Sequence, residues 1–172
     1  MRWGYIPSVS VGPLRFGMSS DEAVAALDGF TGTVGGYTGY GFHKHAVGEF
    51  RKIGDPSYRA AVTGYFWEHG GLFCVVPDAR FGPQVVFDGL RMVGRAPARW
   101  EAEIFDHLPP RGLDVRYEPG GSPGSDDLGL VMRAQSVGDG MLTRPALLVK
   151  DEHGYTLWDV LPTEEMSHTL SR

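Results

Sequence analysis

Apolar and polar residues alternate with a period of two along much of the chain, and this alternation predicts β-strands. Positions 113–117 and 128–134 both follow the pattern, with charged side chains between apolar ones in the first of them. Such alternation is typical of strands that bury one face. The glycine-rich stretch 35–41 has no phosphate-loop ending and is interpreted as a twisted or bulged strand.

Two pairs of apolar runs each flank a short turn that contains Glu, His and Gly. The runs 58–67 and 72–76 surround the first turn, and the runs 146–150 and 155–160 surround the second. Glycine supplies the positive φ that tight hairpin turns need. Because no helical pattern separates the runs, the sequence predicts antiparallel pairing.

Local capping signals predict two short amphipathic helices. Ser19 and Glu22 form a capping box in front of an apolar stripe. Pro97 suits the first position of a second helix. Proline lacks a backbone N–H, and at that position an N–H would have no acceptor within the helix. Apolar residues then recur at helical spacing over 100–108, and a Pro-Pro pair ends the run.

Two short echoes indicate an internal duplication. Segment 12–17 resembles segment 89–94, and segment 67–77 resembles segment 151–162. The loop-like run 118–127 is the natural place for an insertion in the second half.

The sequence therefore predicts an α+β fold of two tandem units, residues 1–88 and 89–172. Each unit is expected to hold a short helix followed by an antiparallel sheet of about four strands, with both units packed as one globule.

Charge and cysteine content narrow the class of partner. The net charge is −5, and phosphate binding needs clustered Lys and Arg, so a nucleic acid is not the expected partner. A single cysteine, Cys74, excludes an intrachain disulfide framework. The chain has no run of about 20 apolar residues, so no membrane partner is expected. Its first residues lack the apolar run of a signal peptide, so no leader is expected and the predicted location is cytoplasmic.

Candidate chemistry is sparse. His43 and His45 have the i, i+2 spacing that places two imidazoles on one strand face, which makes them weak metal candidates beside the alternative of solvated histidines. Cys74 lies in an apolar run typical of an inert core thiol. Adjacent acids such as Glu164 and Glu165 are interpreted as solvated loop charge. The sequence predicts no cofactor and no enzymatic activity.

Aromatic residues form the more informative pattern. Aromatic and Arg side chains bury large areas at protein interfaces, so an aromatic-rich open sheet face is a candidate contact surface; the alternative is that these residues fill the core. The candidate partner-binding residues are Tyr37, Tyr40, Phe42, Phe66, Trp67, Tyr155 and Trp158.

Two segments carry resemblances to known families. Segment 14–22, Leu-Arg-Phe-Gly-Met-Ser-Ser-Asp-Glu, and its partial echo from Leu90 resemble the helix entry of β-lactamase-inhibitory proteins and of BamE-type outer-membrane assembly lipoproteins. That resemblance implies tandem helix-plus-four-strand units, although this chain lacks the inhibitors' cysteine pairs and is not expected to carry their leader. Segments 128–135 and 142–145 resemble uncharacterised actinobacterial proteins.

These patterns favour a cytoplasmic, non-enzymatic protein-binding module of the inhibitor or immunity type. Its partner is expected to be another protein, which it contacts with open sheet faces and the loop 118–127. Two alternatives remain: a small-ligand or metal-binding protein, weakly hydrolytic, around His43 and His45, and a structural subunit of a homo-oligomer.

Overall fold

The described parts of the chain form a mixed α+β fold, as the sequence predicts. A computed structural model describes residues 1–150 and 154–166, with the backbone alone at Phe42. Within these ranges the chain forms thirteen strands in two sheets and four α-helices. None of the described helices is both long and apolar enough to cross a membrane.

The elements follow one another in an order that mixes short and long strands. The strands are β1 (Arg2–Ile6), β2 (Ser10–Val11), β3 (Leu14–Arg15), β4 (Phe30–Val34), β5 (His45–Lys52), β6 (Val62–Trp67), β7 (Gly71–Pro77), β8 (Gln84–Phe87), β9 (Leu90–Arg91), β10 (Arg116–Tyr117), β11 (Pro123–Ser125), β12 (Leu130–Val137) and β13 (Gly140–Leu148). The helices are α1 (Ser20–Ala26), α2 (Pro97–His107), α3 (Leu157–Val160) and α4 (Thr163–Met166).

Strands from both halves of the chain form one large antiparallel sheet. Its order is β10-β11-β12-β13-β7-β6-β5-β4, and the halves meet where Leu147 pairs with Val75 and Leu148 with Cys74. The remaining strands form a small sheet of order β3-β2-β1-β8-β9, in which β1 and β8 run parallel. The predicted arrangement of one four-stranded sheet per unit is therefore not matched, because the edge strands of the two halves bond to each other.

The two predicted helices form where the local signals place them. The Ser19 hydroxyl accepts a hydrogen bond from the Glu22 amide at 3.2 Å, and the Glu22 carboxylate accepts one from the Ser19 amide at 2.8 Å. Pro97 opens α2, which buries Trp100 and Ile104. Both helices are one-sided and pack on the large sheet, α1 against β7 and α2 against β13.

Two apolar clusters lie on opposite faces of the large sheet. The first packs Phe50, Leu72 and Val75 against the helices α1 and α2 and the small sheet. The second contains Tyr65 and Cys74 together with buried residues of α3. One face of the sheet is thus closed by the body of the protein, whereas the other is covered only by residues near the end of the described chain.

Three predicted local structures are wrong. Residues 157–160 form α3 and not a strand, because the Thr156 hydroxyl and the Asp159 carboxylate make a capping box that starts a helix. Residues 35–41 form a loop after β4, with one bridge between Thr38 and His45. The predicted loop 118–127 contains β11. The turn residues 151–153 of the second predicted hairpin lie outside the described residues.

Matching backbone hydrogen bonds lie just before each of the helices α1 and α2. The Gly17 amide donates to the Leu72 carbonyl at 2.8 Å, and the Leu72 amide donates to the Met18 carbonyl at 2.8 Å. In the second half, the Gly94 amide donates to the Thr143 carbonyl at 2.9 Å, and the Thr143 amide donates back to Arg95 at 2.9 Å. Each helix is therefore tied to an inner strand of the large sheet by the same pair of bonds.

Candidate functional site

The outer face of the large sheet holds the candidate site. Residues 154–166, here called the 154–166 segment, cover part of this face and leave an open cleft of about 680 Å³ beside them. The cleft is lined by strands β5 and β6, by the loop between them and by the segment itself. Its charged and hydrogen-bonding lining residues are Glu49, Arg51, Tyr58, Arg59, Thr63, Tyr65, Asp78, Gln135, Arg144, Glu164 and Glu165.

A buried ion pair forms one wall of the cleft. The Arg144 guanidinium on β13 contacts the Glu165 carboxylate of α4, and the two side chains are 10% and 2% exposed. The Tyr65 hydroxyl on β6 donates to the same carboxylate at 2.5 Å. Burial and the neighbouring Glu165 charge raise the pKa of Tyr65 far above its usual value. Burial alone would lower the pKa of Arg144, but the charge and hydrogen bond of Glu165, together with nearby Tyr65 and Asp78, raise that pKa.

A second contact joins the 154–166 segment to the start of β5. Nε2 of His45 lies 3.0 Å from both carboxylate oxygens of Glu164. The His45 ring is buried and packs edge-on against Tyr65 and Phe73, at centroid distances of 5.5 and 6.2 Å. Glu164 and Glu165 therefore both contact the sheet. Glu165 is buried, which corrects its interpretation as solvated loop charge, whereas the Glu164 side chain is 45% exposed and keeps part of its contact with solvent.

The predicted pairing of His43 with His45 on one face is wrong. His43 is exposed in the 3₁₀ turn Gly41–His43, which breaks the strand alternation just before β5 begins, whereas His45 is buried against Glu164. Among the residues that the structure describes, no three His, Cys, Asp or Glu side chains are grouped to hold a metal ion.

Side-chain hydrogen bonds hold the turn after β7, where Asp78 and Gln135 line the cleft. The Gln135 amide group accepts a hydrogen bond from the Ala79 amide at 3.0 Å and donates to the Asp78 carboxylate at 2.8 Å. The other Asp78 oxygen accepts from the amides of Arg80 and Phe81, both at 2.8 Å. Asp78 is therefore fixed by three donors, and the turn after β7 keeps its shape.

Tyr58 stands on the rim in a strained backbone conformation. Its φ is +54°, in the left-handed region that a bulky residue rarely adopts, and its side chain is 82% exposed. The Arg51 Nε donates to the Tyr58 carbonyl at 2.8 Å, and the Asp55 carboxylate accepts from the Ser57 amide at 2.8 Å. These contacts hold the loop so that the ring projects into solvent.

Cys74 is a core thiol. It is fully buried on β7 opposite Tyr65. Burial raises the pKa of the Cys74 thiol well above its usual range, and the Glu165 charge adds to this effect. Because the thiolate is the nucleophilic form, this environment favours packing over reactivity.

The candidate aromatic residues separate into core and surface. Phe66 is buried in the first apolar cluster, which makes it unavailable to a partner and corrects its assignment to the contact surface. Tyr37, Tyr40 and Tyr155 are exposed. The side chain of Phe42 lies outside the described residues.

The two candidate tryptophans are half-buried on the outer face. Trp67 stacks on Phe73 with a centroid distance of 4.2 Å and an interplanar angle of 5°. Trp158 lies under the Arg133 guanidinium, which is 5.5 Å from the ring centroid. Trp158 also lines a second hollow of about 420 Å³ together with His43 and Tyr155.

We expect Trp67→Ala to lower the free energy of unfolding by about 1.5–3 kcal/mol, because it removes a stacked, half-buried ring. Tyr40→Ala is the matched control: its ring is 92% exposed, so a change within about 0.5 kcal/mol is expected. Urea unfolding of the two variants checks this, and equal effects would show that the stacking contributes nothing.

Sequence reasoning missed most of the cleft, although one signal was present. Arg133 and Arg144 interrupt apolar strand patterns and pair directly across β12 and β13. Charged residues in such positions are rarely buried unless paired. Tyr58 carried no comparable signal, because its positive φ depends on the folded loop.

The arrangement combines a guanidinium, an imidazole and a phenol around two carboxylates. Guanidinium groups with neighbouring hydrogen-bond donors recognise carboxylates in a fixed geometry. In this structure these groups hold two anionic side chains of the chain itself, Glu164 and Glu165. Neither a protein-family model, nor a curated protein, nor a solved structure matches this chain.

Proposed function

We propose that the protein is a non-enzymatic binding module of the inhibitor or immunity type, and that its partner is another protein. The contact surface is the cleft face of the large sheet with its rim. The observation that carries this proposal is Tyr58, a largely exposed aromatic residue held in the left-handed region at the edge of the cleft.

Strain of this kind costs about 1–3 kcal/mol and persists where the surroundings enforce it. Here Arg51 enforces it by bonding the Tyr58 carbonyl. Tyr and Arg are the residues that most often dominate binding energy at protein interfaces. A tyrosine whose backbone is already held beside Arg51 and Arg59 supports a role as an interface anchor, because little loop entropy would be lost on binding.

The same proposal includes a division of the chain into two tandem helix-plus-sheet units, residues 1–88 and 89–172. The matching hydrogen bonds of Gly17 to β7 and of Gly94 to β13 support this division. We place the protein in the cytoplasm, to which its single buried thiol is suited.

Tyr58→Ala should lower partner capture at least tenfold. The experiment compares tagged parent, Tyr58→Ala and Tyr117→Ala as baits in lysate of the source organism, with quantitative mass spectrometry as the readout. Tyr117 is the control because it is also exposed but lies on β10, at the opposite edge of the sheet.

Tyr58→Gly adds a second readout, since glycine accepts a positive φ and should leave stability unchanged or raise it by up to about 1 kcal/mol. A partner lost with both Tyr58 variants and kept with Tyr117→Ala supports the proposal. Equal capture by all baits contradicts it.

The cleft volume favours a second candidate function, the binding of a small ligand. Small-molecule sites usually enclose about 300–1,000 Å³, and the cleft has about 680 Å³. Such a ligand would occupy the cleft and not a site between His43 and His45, because the His45 ring is buried and already contacts Glu164. Native mass spectrometry of the purified chain distinguishes the two: a retained small molecule that Arg51→Ala releases would favour the ligand.

A further inference from the structure

The 154–166 segment sits on the sheet as a docked peptide would. Its two helices, α3 and α4, have four residues each, and helices this short are not stable in water without outside contacts. Buried Leu157, Val160 and Leu161 anchor it in the second apolar cluster. Its conformation therefore depends on the face beneath it.

Two adjacent acids complete this docking. Glu165 is held by Arg144 and Tyr65, and Glu164 lies against His45. Apolar anchors in its first half and a pair of carboxylates in its second half, both in contact with the sheet, define the segment as an acidic amphipathic peptide.

The face beneath the segment supplies cations and hydrogen-bonding groups from four different strands. Arg144 comes from β13, Tyr65 from β6 and His45 from β5. Arg133 on β12 adds a hydrogen bond from Nη2 to the Met166 carbonyl at 3.2 Å. Because these groups lie on strands of one hydrogen-bonded sheet, the sheet itself sets the spacing between them.

We propose that this face, here called the receptor face, binds an acidic amphipathic segment of the partner protein. The chain's own 154–166 segment is its occupant in cis, and the partner's segment displaces it. The inference rests on the proposed function, because it names the chemistry that a protein partner presents to the same sheet face. Charge complementarity between the receptor face and two consecutive glutamates is the observation that identifies the occupant.

The cis occupant weakens binding of any competitor. A tethered segment acts at an effective concentration of about millimolar, so a free peptide of the same sequence competes poorly with it. Removing the cis carboxylates should therefore expose the receptor face and raise its affinity for a free acidic peptide.

The test uses a fluorescein-labelled synthetic peptide with the sequence of residues 154–166, titrated by anisotropy against full-length chains. The Glu164→Gln/Glu165→Gln variant should bind it at least tenfold more tightly than the parent. A peptide carrying glutamine at both positions should bind that variant at least tenfold more weakly than the acidic peptide. The charge-matched control is Asp106→Asn/Asp139→Asn, which removes two exposed carboxylates elsewhere and should bind like the parent.

Two results would overturn the proposal: a folded variant that binds the acidic peptide no better than the parent does, or equal binding of the acidic and the neutral peptide. If the variant does not fold, hydrogen exchange of the parent decides. The amides of Val160 and Leu161 should exchange through a local opening whose free energy is lower than that for the amides of β13. Excess peptide should make this exchange faster, because it competes with the segment for the receptor face. Exchange only by global unfolding would show that the segment cannot be displaced.

The two proposals fail separately. Capture of a partner that depends on Tyr58, without any binding of the acidic peptide, would overturn the receptor-face inference and leave the binding module intact. The opposite result is also informative. If the peptide binds through its glutamates but partner capture does not change in the Tyr58 variants, the proposal that Tyr58 anchors the partner is overturned and the receptor face is supported.

Discussion

Replacing Arg144 with alanine is expected to lower the free energy of unfolding by about 3–5 kcal/mol. The substitution leaves the Glu165 carboxylate, whose side chain is 2% exposed, without its counter-charge. Breaking a buried ion pair by removing one partner is costly because the remaining charge is desolvated and unpaired. Tyr65 would still donate to Glu165, but one neutral hydrogen bond does not replace a guanidinium. Urea-induced unfolding followed by circular dichroism measures the loss.

A double substitution separates the lost pair from the unpaired charge. Arg144→Met/Glu165→Leu removes both charges and fills the space, so its stability should return to within about 2 kcal/mol of the parent. Lys44→Ala is the control for a surface pair: Lys44 and Glu68 lie 2.7 Å apart but are about two-fifths exposed, and its loss should cost about 0–1 kcal/mol. Equal losses for Arg144→Ala and Lys44→Ala would contradict the buried network.

Gly71→Ala is expected to cost about 2–5 kcal/mol, because two separate penalties combine. Gly71 has a φ of +67°, where an alanine is disfavoured by about 1–2 kcal/mol. An added Cβ would also lie 2.6 Å from the Met18 carbonyl oxygen and closer still to that of Gly17. These are backbone atoms that hold α1 to β7, so they cannot yield as a flexible side chain would; overpacking of this kind costs about 1–3 kcal/mol.

Gly17→Ala is the matched control for Gly71. Gly17 also has a positive φ, +85°, but nothing lies within 4 Å of an added Cβ. Only the conformational penalty of about 1–2 kcal/mol is expected there. Thermal and urea unfolding of both variants test the difference, and equal losses would show that the close approach to the 17–18 backbone has no energetic consequence.

Sequence patterns determined the elements whose signals are local. The Ser19 and Glu22 capping box and Pro97 mark the starts of α1 and α2, because hydrogen bonds and steric limits within one turn decide where a helix begins. The first hairpin, β6–β7, also forms where its turn glycines indicate. In these places the residues that decide the structure are neighbours along the chain.

Apolar runs on either side of a turn predict a second hairpin that does not form. The sequence predicts a strand like β7 over residues 155–160, but the capping box of Thr156 and Asp159 and the burial of Leu157 and Val160 favour a helix. A short apolar run is compatible with either a helix or a strand, and the surface on which it packs decides which of the two forms. The apolar sheet face offered that surface, and only the assembled sheet created it.

By itself, the sequence determined the α+β class, the helices α1 and α2 and the first hairpin, since these follow from capping, periodicity and turn residues. The tertiary structure decided how the strands join and where the site lies. His45 meets Glu164 across 119 positions and Tyr65 meets Glu165 across 100, contacts that exist only once β13 pairs with β7. Charged residues look solvated in a sequence, because whether a charge is buried and paired depends on strands that are distant along the chain.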